Sequence, residues 1–257
     1  MKFKVALLGA GNVAWNLAPA LEDAGHEITE VYARTLCQAE EITERVYNAR
    51  PTNDLDFSES LAEIFILALS DDAIAEVADQ VILPEGSLLV HTSGTVPLEV
   101  LAYSSASYTG VFYPLQSFTK GKKIALDEVP IALESEDEES LQKLKKLAKS
   151  LSPMVYTLGS KDRKALHVAA VFASNFTNHM LRIAEEILHR QGLDQELLKP
   201  LIIESISKSL QIGAKKAQTG PAIREDLETL EEHHRFLSYN PQVAEIYRLI
   251  SQDIIDS

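Results

Sequence analysis

The apolar stretch Phe3-Lys4-Val5-Ala6-Leu7-Leu8 runs directly into Gly9-Ala10-Gly11-Asn12-Val13-Ala14, and Ala14 to Ala24 is rich in helix formers. Few folds accept that order. A strand, a glycine turn and a helix in immediate succession are the setting of a dinucleotide fingerprint. Gly9 permits the tight turn, Gly11 lets backbone approach a pyrophosphate, and Ala14 is small enough for helix and strand to pack. The amides and dipole of the helix start would then hold phosphate, with Gly9, Gly11, Asn12 and Val13 as the candidate cradle. An ordinary Gly-Ala-Gly turn is the alternative.

Glu27 to Ala33 reads as a second strand, followed by Arg34 and Thr35 with no carboxylate in register. An acidic residue at this point suits the ribose of NAD, whereas an arginine suits the 2′-phosphate of NADP. Arg34 can pair with that phosphate and Thr35 can donate a hydrogen bond to it, so NADP is the expected cofactor. The other reading of Arg34 is a solvated loop residue.

Leu36 to Asn48 reads as a helix and Pro51-Thr52-Asn53 as a turn. Ile64 to Leu69 is continuously apolar, as a strand buried on both faces would be. Asp71 or Asp72 is expected to cap the next helix. Ser70 then sits at the carboxyl end of a central strand, where ligands of open α/β sheets lie. Ser87 to His91 is the next strand, ending in His91-Thr92-Ser93-Gly94-Thr95, with a helix expected from near Val96. His91 there either contacts nicotinamide or substrate, or is a strand-end histidine with its own hydrogen bond. Thr92 and Ser93 join it as candidates, and no base stands beside Ser93 to make it a nucleophile. Tyr108 to Tyr113 and Val129 to Leu133 complete the strand pattern, with Glu134 to Glu139 as an acidic loop and helix start. Leu141 to Leu151 continues that helix, and Met154 to Leu158 closes the sheet.

Alternating strands and helices to about residue 158 indicate an α/β fold, a Rossmann-type doubly wound sheet. Beyond it the segments Asp162 to Arg190, Gln195 to Gln218, Pro221 to Leu237 and Pro241 to Asp256 all read as helices. The expected organisation is a dinucleotide-binding domain over 1–158 and an all-helical domain over 159–257.

In the first of those helices, Leu166, Ala169, Ala170, Ala173, Phe176 and Met180 form an apolar stripe. At about 100° per residue, His167, Ser174, Asn175 and Asn178 fall in a sector beside it. Such a polar stripe costs stability unless each group is paired. It serves either substrate recognition, with His167 as acid or base and Asn175 and Asn178 orienting, or helix–helix and dimer contacts. Thr219-Gly220-Pro221 followed by Arg224 suggests a second anion-friendly helix start.

The net charge of −14 argues against nucleic acid or an anionic membrane as partner. Cys37 is the single cysteine, so no intrachain disulfide forms and a cytoplasmic setting is expected. No run approaches the roughly 18 apolar residues of a membrane span.

Taken together, Gly9 to Ala14, Tyr32-Ala33-Arg34-Thr35, His91-Thr92-Ser93-Gly94, Val111 to Phe118, Leu166 to Asn178 and Thr219-Gly220-Pro221 resemble one family. It is that of Rossmann-like NADP oxidoreductases with a helical C-terminal domain of unknown function, relatives of pyrroline-5-carboxylate reductase. The resemblance implies an NADP-binding domain, a helical domain that mediates homodimerisation, and a small-molecule substrate held between them. The related β-hydroxyacid dehydrogenases carry a Lys and an Asn four residues apart on the corresponding helix. Here that helix offers His167 and Asn175 with no lysine between, so their proton donor is not carried over. The expected activity is hydride transfer between nicotinamide and a small carbonyl or imine. A dinucleotide-binding sensor without turnover, and reduction through a deazaflavin, are the rival readings.

Overall fold

The computed structural model describes residues 2–257. The chain divides into two compact units, Met1–Asn175 and Phe176–Ser257.

In the first unit, eight strands form one sheet: β1 (Lys4–Leu8), β2 (Glu27–Tyr32), β3 (Arg50–Thr52), β4 (Ile64–Leu67), β5 (Leu88–His91), β6 (Tyr108–Pro114), β7 (Ile131–Glu134) and β8 (Val155–Thr157). Their order is β3-β2-β1-β4-β5-β6-β7-β8, and every neighbouring pair is parallel except β6 and β7. The order reverses between β1 and β4, which places a crevice at their carboxyl ends.

Alternate residues of each central strand feed opposite cores, as a period of two requires. Val5, Leu7, Ile64, Ile66, Leu88 and Val90 pack on one face, while Ala6, Leu8, Phe65, Leu67, Leu89 and Tyr113 pack on the other. The strands therefore read as unbroken apolar runs because both faces are covered.

The helices of this unit are α1 (Asn12–Asp23), α2 (Leu36–Thr43), α3 (Asp71–Gln80), α4 (Glu138–Leu151) and α5 (Ser160–Ala170). Four local expectations are corrected. Helix α2 stops at Thr43 rather than Asn48, where the Tyr47 amide turns aside to the Glu22 carboxylate at 3.0 and 3.1 Å. Arg50–Thr52 is an edge strand rather than a turn, a position that tolerates Pro51. Ser70 is the N-cap of α3, and Asp71 instead bonds the Thr95 hydroxyl. The helix expected from Val96 is a single 3₁₀ turn, Leu98–Leu101, with Pro97 outside it as the cap.

The second unit contains α6 (Thr177–Arg190), α7 (Lys199–Ile212), α8 (Ala214–Ala217), α9 (Leu227–Phe236) and α10 (Pro241–Asp256). Gly213, at φ 87°, separates α7 from α8. The expected helix over Pro221 to Leu237 is broken: Ala222–Arg224 makes one 3₁₀ turn, then Glu225 takes a left-handed φ of 55°. Helix α9 restarts under Asp226, whose carboxylate accepts from the Thr229 amide at 3.2 Å. The Gly220-Pro221 segment thus opens no long helix, and the second anion-binding end does not form. The core of this unit is small, with Ile183, Leu237, Val243 and Ala244 buried. No helix among the described residues is long and apolar enough to cross a membrane.

Candidate active site

Gly9 closes β1 at φ 128°, and a Cβ there would stand 2.2 Å from the Ala68 carbonyl oxygen. No L side chain fits this meeting of the β1 and β4 ends. The chain then enters α1 with Gly11 as N-cap, no side-chain cap bond and no acidic residue in the first turn. The amides at Asn12 and Val13 and the positive end of the dipole therefore remain for an anion. Arg34 and Thr35 lie exposed beyond β2, with Thr35 as N-cap of α2 making no side-chain cap bond. These residues fit the phosphates of a dinucleotide.

The segment after β6 crosses the same helix start. The Lys120 amide donates to Asn12 Oδ1 at 3.2 Å, and Asn16 Nδ2 donates to the Thr119 carbonyl at 3.3 Å. Lys120 Nζ also pairs with Glu41 at 3.0 Å, and the Arg45 guanidinium sits 3.8 Å above the Trp15 ring. Nothing local in the sequence marks this crossing.

The strand-end hydroxyl block is largely hydrogen-bonded within its own turn. Ser70 is exposed at the mouth of the crevice. His91 has no exposed surface, and burial lowers its pKa to about 4, with the Arg163 charge adding to the shift and the Pro97 carbonyl and Asp71 opposing it. Its Nδ1 accepts from the Ser93 amide at 3.2 Å, while Nε2 makes no hydrogen bond of ordinary geometry. Thr92 donates to the Leu67 carbonyl at 3.3 Å, and Ser93 Oγ accepts from the Thr95 and Val96 amides at 3.1 and 3.0 Å. His91, Thr92 and Ser93 are thus buried builders of the turn.

What that turn holds in place is the residue next along. A Cβ on Gly94 would lie 2.4 Å from His167 Nδ1 and 2.8 Å from Tyr113 Cζ. His167, on α5, and Tyr113, at the end of β6, meet there with Oη and Nδ1 3.0 Å apart. Burial raises the Tyr113 hydroxyl above a phenol's usual range, against the pull of Arg163. Both rings line a cleft of about 560 Å³ together with Gln116, Ser117, Ser174 and Asn175. Ser174 and Asn175 belong to Val171–Phe176, which is π-helical rather than α-helical, a geometry common at functional sites. Asn178 is exposed on α6, in the second unit.

A fully buried arginine locks this arrangement. All five N–H groups of Arg163 are used. Nε and Nη2 donate to Glu134 Oε2 at 3.3 and 2.9 Å, and Nη2 donates to Ser160 Oγ at 3.1 Å. Nη1 donates to the Ser93 and Val96 carbonyls at 2.9 Å each. Glu134, read from sequence as the start of an acidic loop and helix start, is therefore the counter-ion of the buried Arg163, and it also accepts from the Ser160 amide at 2.8 Å. Sequence reasoning missed Tyr113, Gly94, Arg163 and Glu134. Of these, only Tyr113 carried a signal, as a polar ring near the end of β6, two residues past the partner of His91.

A second cleft, of about 310 Å³, lies wholly in the second unit. Its walls are mainly aliphatic, with Tyr247 as the titratable group among them, so it offers little acid–base chemistry.

Comparison with known proteins gives a consistent picture. A Rossmann-like domain model matches residues 1–111, and the model of a domain of unknown function, DUF2520, matches residues 129–254. A proposed NADP oxidoreductase from Bacteroides fragilis is 39% identical, with 100% of this chain and 99% of that one covered at a TM-score of 0.91. A Thermotoga maritima protein is 24% identical over 98% and 100% of the two chains, at a TM-score of 0.77. A reductive aminase from Aspergillus terreus, solved with NADPH and ethyl-5-oxohexanoate, shares the fold at 14% identity and a TM-score of 0.72, over 100% and 94% of the chains. No curated protein gives a significant match.

Proposed function

The chain belongs to the family of Rossmann-like proteins with a C-terminal DUF2520 domain, and from that footing we propose that it is an NADP-dependent oxidoreductase acting on a small carbonyl or imine. The observation that carries this reading is the glycine cradle, closed to any side chain at Gly9 and open to phosphate at the start of α1. Bound NADPH supplies the hydride, and the chain supplies binding, orientation and proton movement. Backbone at Gly9, Gly11, Asn12 and Val13 holds the pyrophosphate. Arg34 and Thr35 hold the 2′-phosphate, through a charge-assisted bond and a hydroxyl. Ser70 and the turn built by His91, Thr92 and Ser93 frame the nicotinamide end. His167 acts as acid or base, and Asn175, which lines the same cleft, supplies an amide that orients the substrate.

The test is a titration with NADPH and NADH, followed by nicotinamide fluorescence, on wild type and Arg34→Ala. NADPH should bind more tightly than NADH, and the substitution should weaken NADPH selectively. Failure to bind either cofactor would remove the oxidoreductase reading.

The protein is also proposed to be a homodimer joined through α7. None of the fourteen residues of that helix is buried, and Leu201, Ile203 and Leu210 are 65%, 68% and 83% exposed. A helix apolar on several faces is stable in water only when covered. A second copy of the chain brings a matching apolar helix.

A further inference from the structure

We propose that Tyr113, rather than the His167 ring itself, hands the proton to the substrate, with His167 behind it as the residue that positions and recharges the phenol. This rests on the reading of the cleft as a reductase site. Three observations carry it. The Tyr113 hydroxyl and His167 Nδ1 lie 3.0 Å apart, so one of them donates to the other. Both side chains line the cleft. The Gly94 backbone leaves no room for a Cβ against Nδ1, so the imidazole is confined with that nitrogen toward the phenol.

A phenol oxygen accepts and donates at once. When Nδ1 carries the hydrogen, it donates to Tyr113 Oη and leaves the phenolic hydrogen for an acceptor in the cleft. When Nδ1 is bare, the phenolic hydrogen is committed to the ring instead. The first arrangement makes Tyr113 an acid toward the substrate. Burial keeps the phenol protonated at neutral pH, ready to give its hydrogen.

The step balances as follows. Bound NADPH would supply the hydride to the carbonyl or imine carbon, whose π electrons would move to oxygen or nitrogen. That atom takes the Tyr113 proton as the phenolic O–H breaks. The phenolate takes the hydrogen from His167 Nδ1 while Nε2 takes a proton from solvent, the one proton that the overall reduction consumes. The product alcohol or amine carries one hydride and one proton, and the dyad is restored when the ring returns to its starting tautomer.

The test reads the tautomer of His167 in the free protein, with ¹⁵N-labelled histidine and the resonance identified through His167→Gln. With the ring neutral, the hydrogen is expected on Nδ1, and Tyr113→Phe should move it toward Nε2, the form that unconstrained imidazoles favour. A hydrogen on Nε2 in the wild type would overturn the proposal, because the phenolic proton would then be held by the ring. That result needs no variant to fold and no cofactor to bind, so it stands apart from any failure of the NADPH titration. In turnover, Tyr113→Phe should lose on the order of 10²-fold or more in kcat, as removal of a general acid does, with NADPH affinity unchanged. A loss of less than about tenfold would also count against Tyr113 as the donor.

Discussion

Replacing Glu134 by Ala should destabilise the first unit more than any surface charge change could. The Arg163 side chain is fully buried and its pair with Glu134 is 2.9 Å long. Without the carboxylate, Nε loses its acceptor at 3.3 Å and Nη2 loses the nearer of its two, while the Ser160 amide loses its bond at 2.8 Å. The guanidinium keeps the Ser93 and Val96 carbonyls but has no counter-ion. Removing one partner of a buried ion pair costs about 3–5 kcal/mol. For a unit of this size each kcal/mol lowers the midpoint by about 2–4 °C, so a fall of roughly 6–20 °C is expected. The chain has one tryptophan, Trp15, and it lies in α1, so its fluorescence follows the unfolding of this unit alone. Urea and thermal unfolding of wild type, Glu134→Ala and the double variant Glu134→Leu/Arg163→Met form the assay. The double variant should recover much of the loss, since an apolar pair leaves no stranded charge. A loss below about 1 kcal/mol in Glu134→Ala would refute the account, because that is the range of an exposed pair.

Three further outcomes follow from the same residues. His91 is held neutral, with its pKa lowered from 6.5 to about 4, so below pH 6.5 the unfolded chain binds a proton that the folded chain refuses. Stability should therefore fall between pH 6.5 and about 4, by on the order of 3 kcal/mol from this group, and urea midpoints of His91→Asn should show a flatter profile across that window. Gly94→Ala forces the His167 ring away from a Cβ that would otherwise stand 2.4 Å from Nδ1. Its cost should be about 1–3 kcal/mol, and thermal unfolding at wild-type temperature would show that the dyad is not packed against Gly94. Leu210→Glu, at the most exposed apolar position of α7, should shift the mass in light scattering from dimer to monomer, and an unchanged dimer would place the interface elsewhere.

The alternating cores, the glycine turn and the change from strand to helix after β8 follow from local chemistry and were legible in residue order. A period of two in apolar runs dictates strands covered on both faces, and the Gly9-Ala10-Gly11 turn dictates where the first helix begins. Arg34 and Thr35 sit where the second strand ends, because strand ends are set by the same periodicity. The Tyr113–His167 pair was not legible. Tyr113 and His167 are 54 residues apart, and only the antiparallel turn into β7 and the docking of α5 by Arg163 bring them together. Arg163 reads in sequence as one more charge on a helix, and Glu134 as part of an acidic run. Their burial depends on where β7, α5 and the His91 turn converge. The π-helical stretch and the broken Pro221 segment were likewise beyond periodicity, since one shifted hydrogen bond or one left-handed residue leaves the apolar pattern almost unchanged. Residue order determined the sheet and its glycine turn through short-range physics, and tertiary packing alone decided which side chains face the cleft.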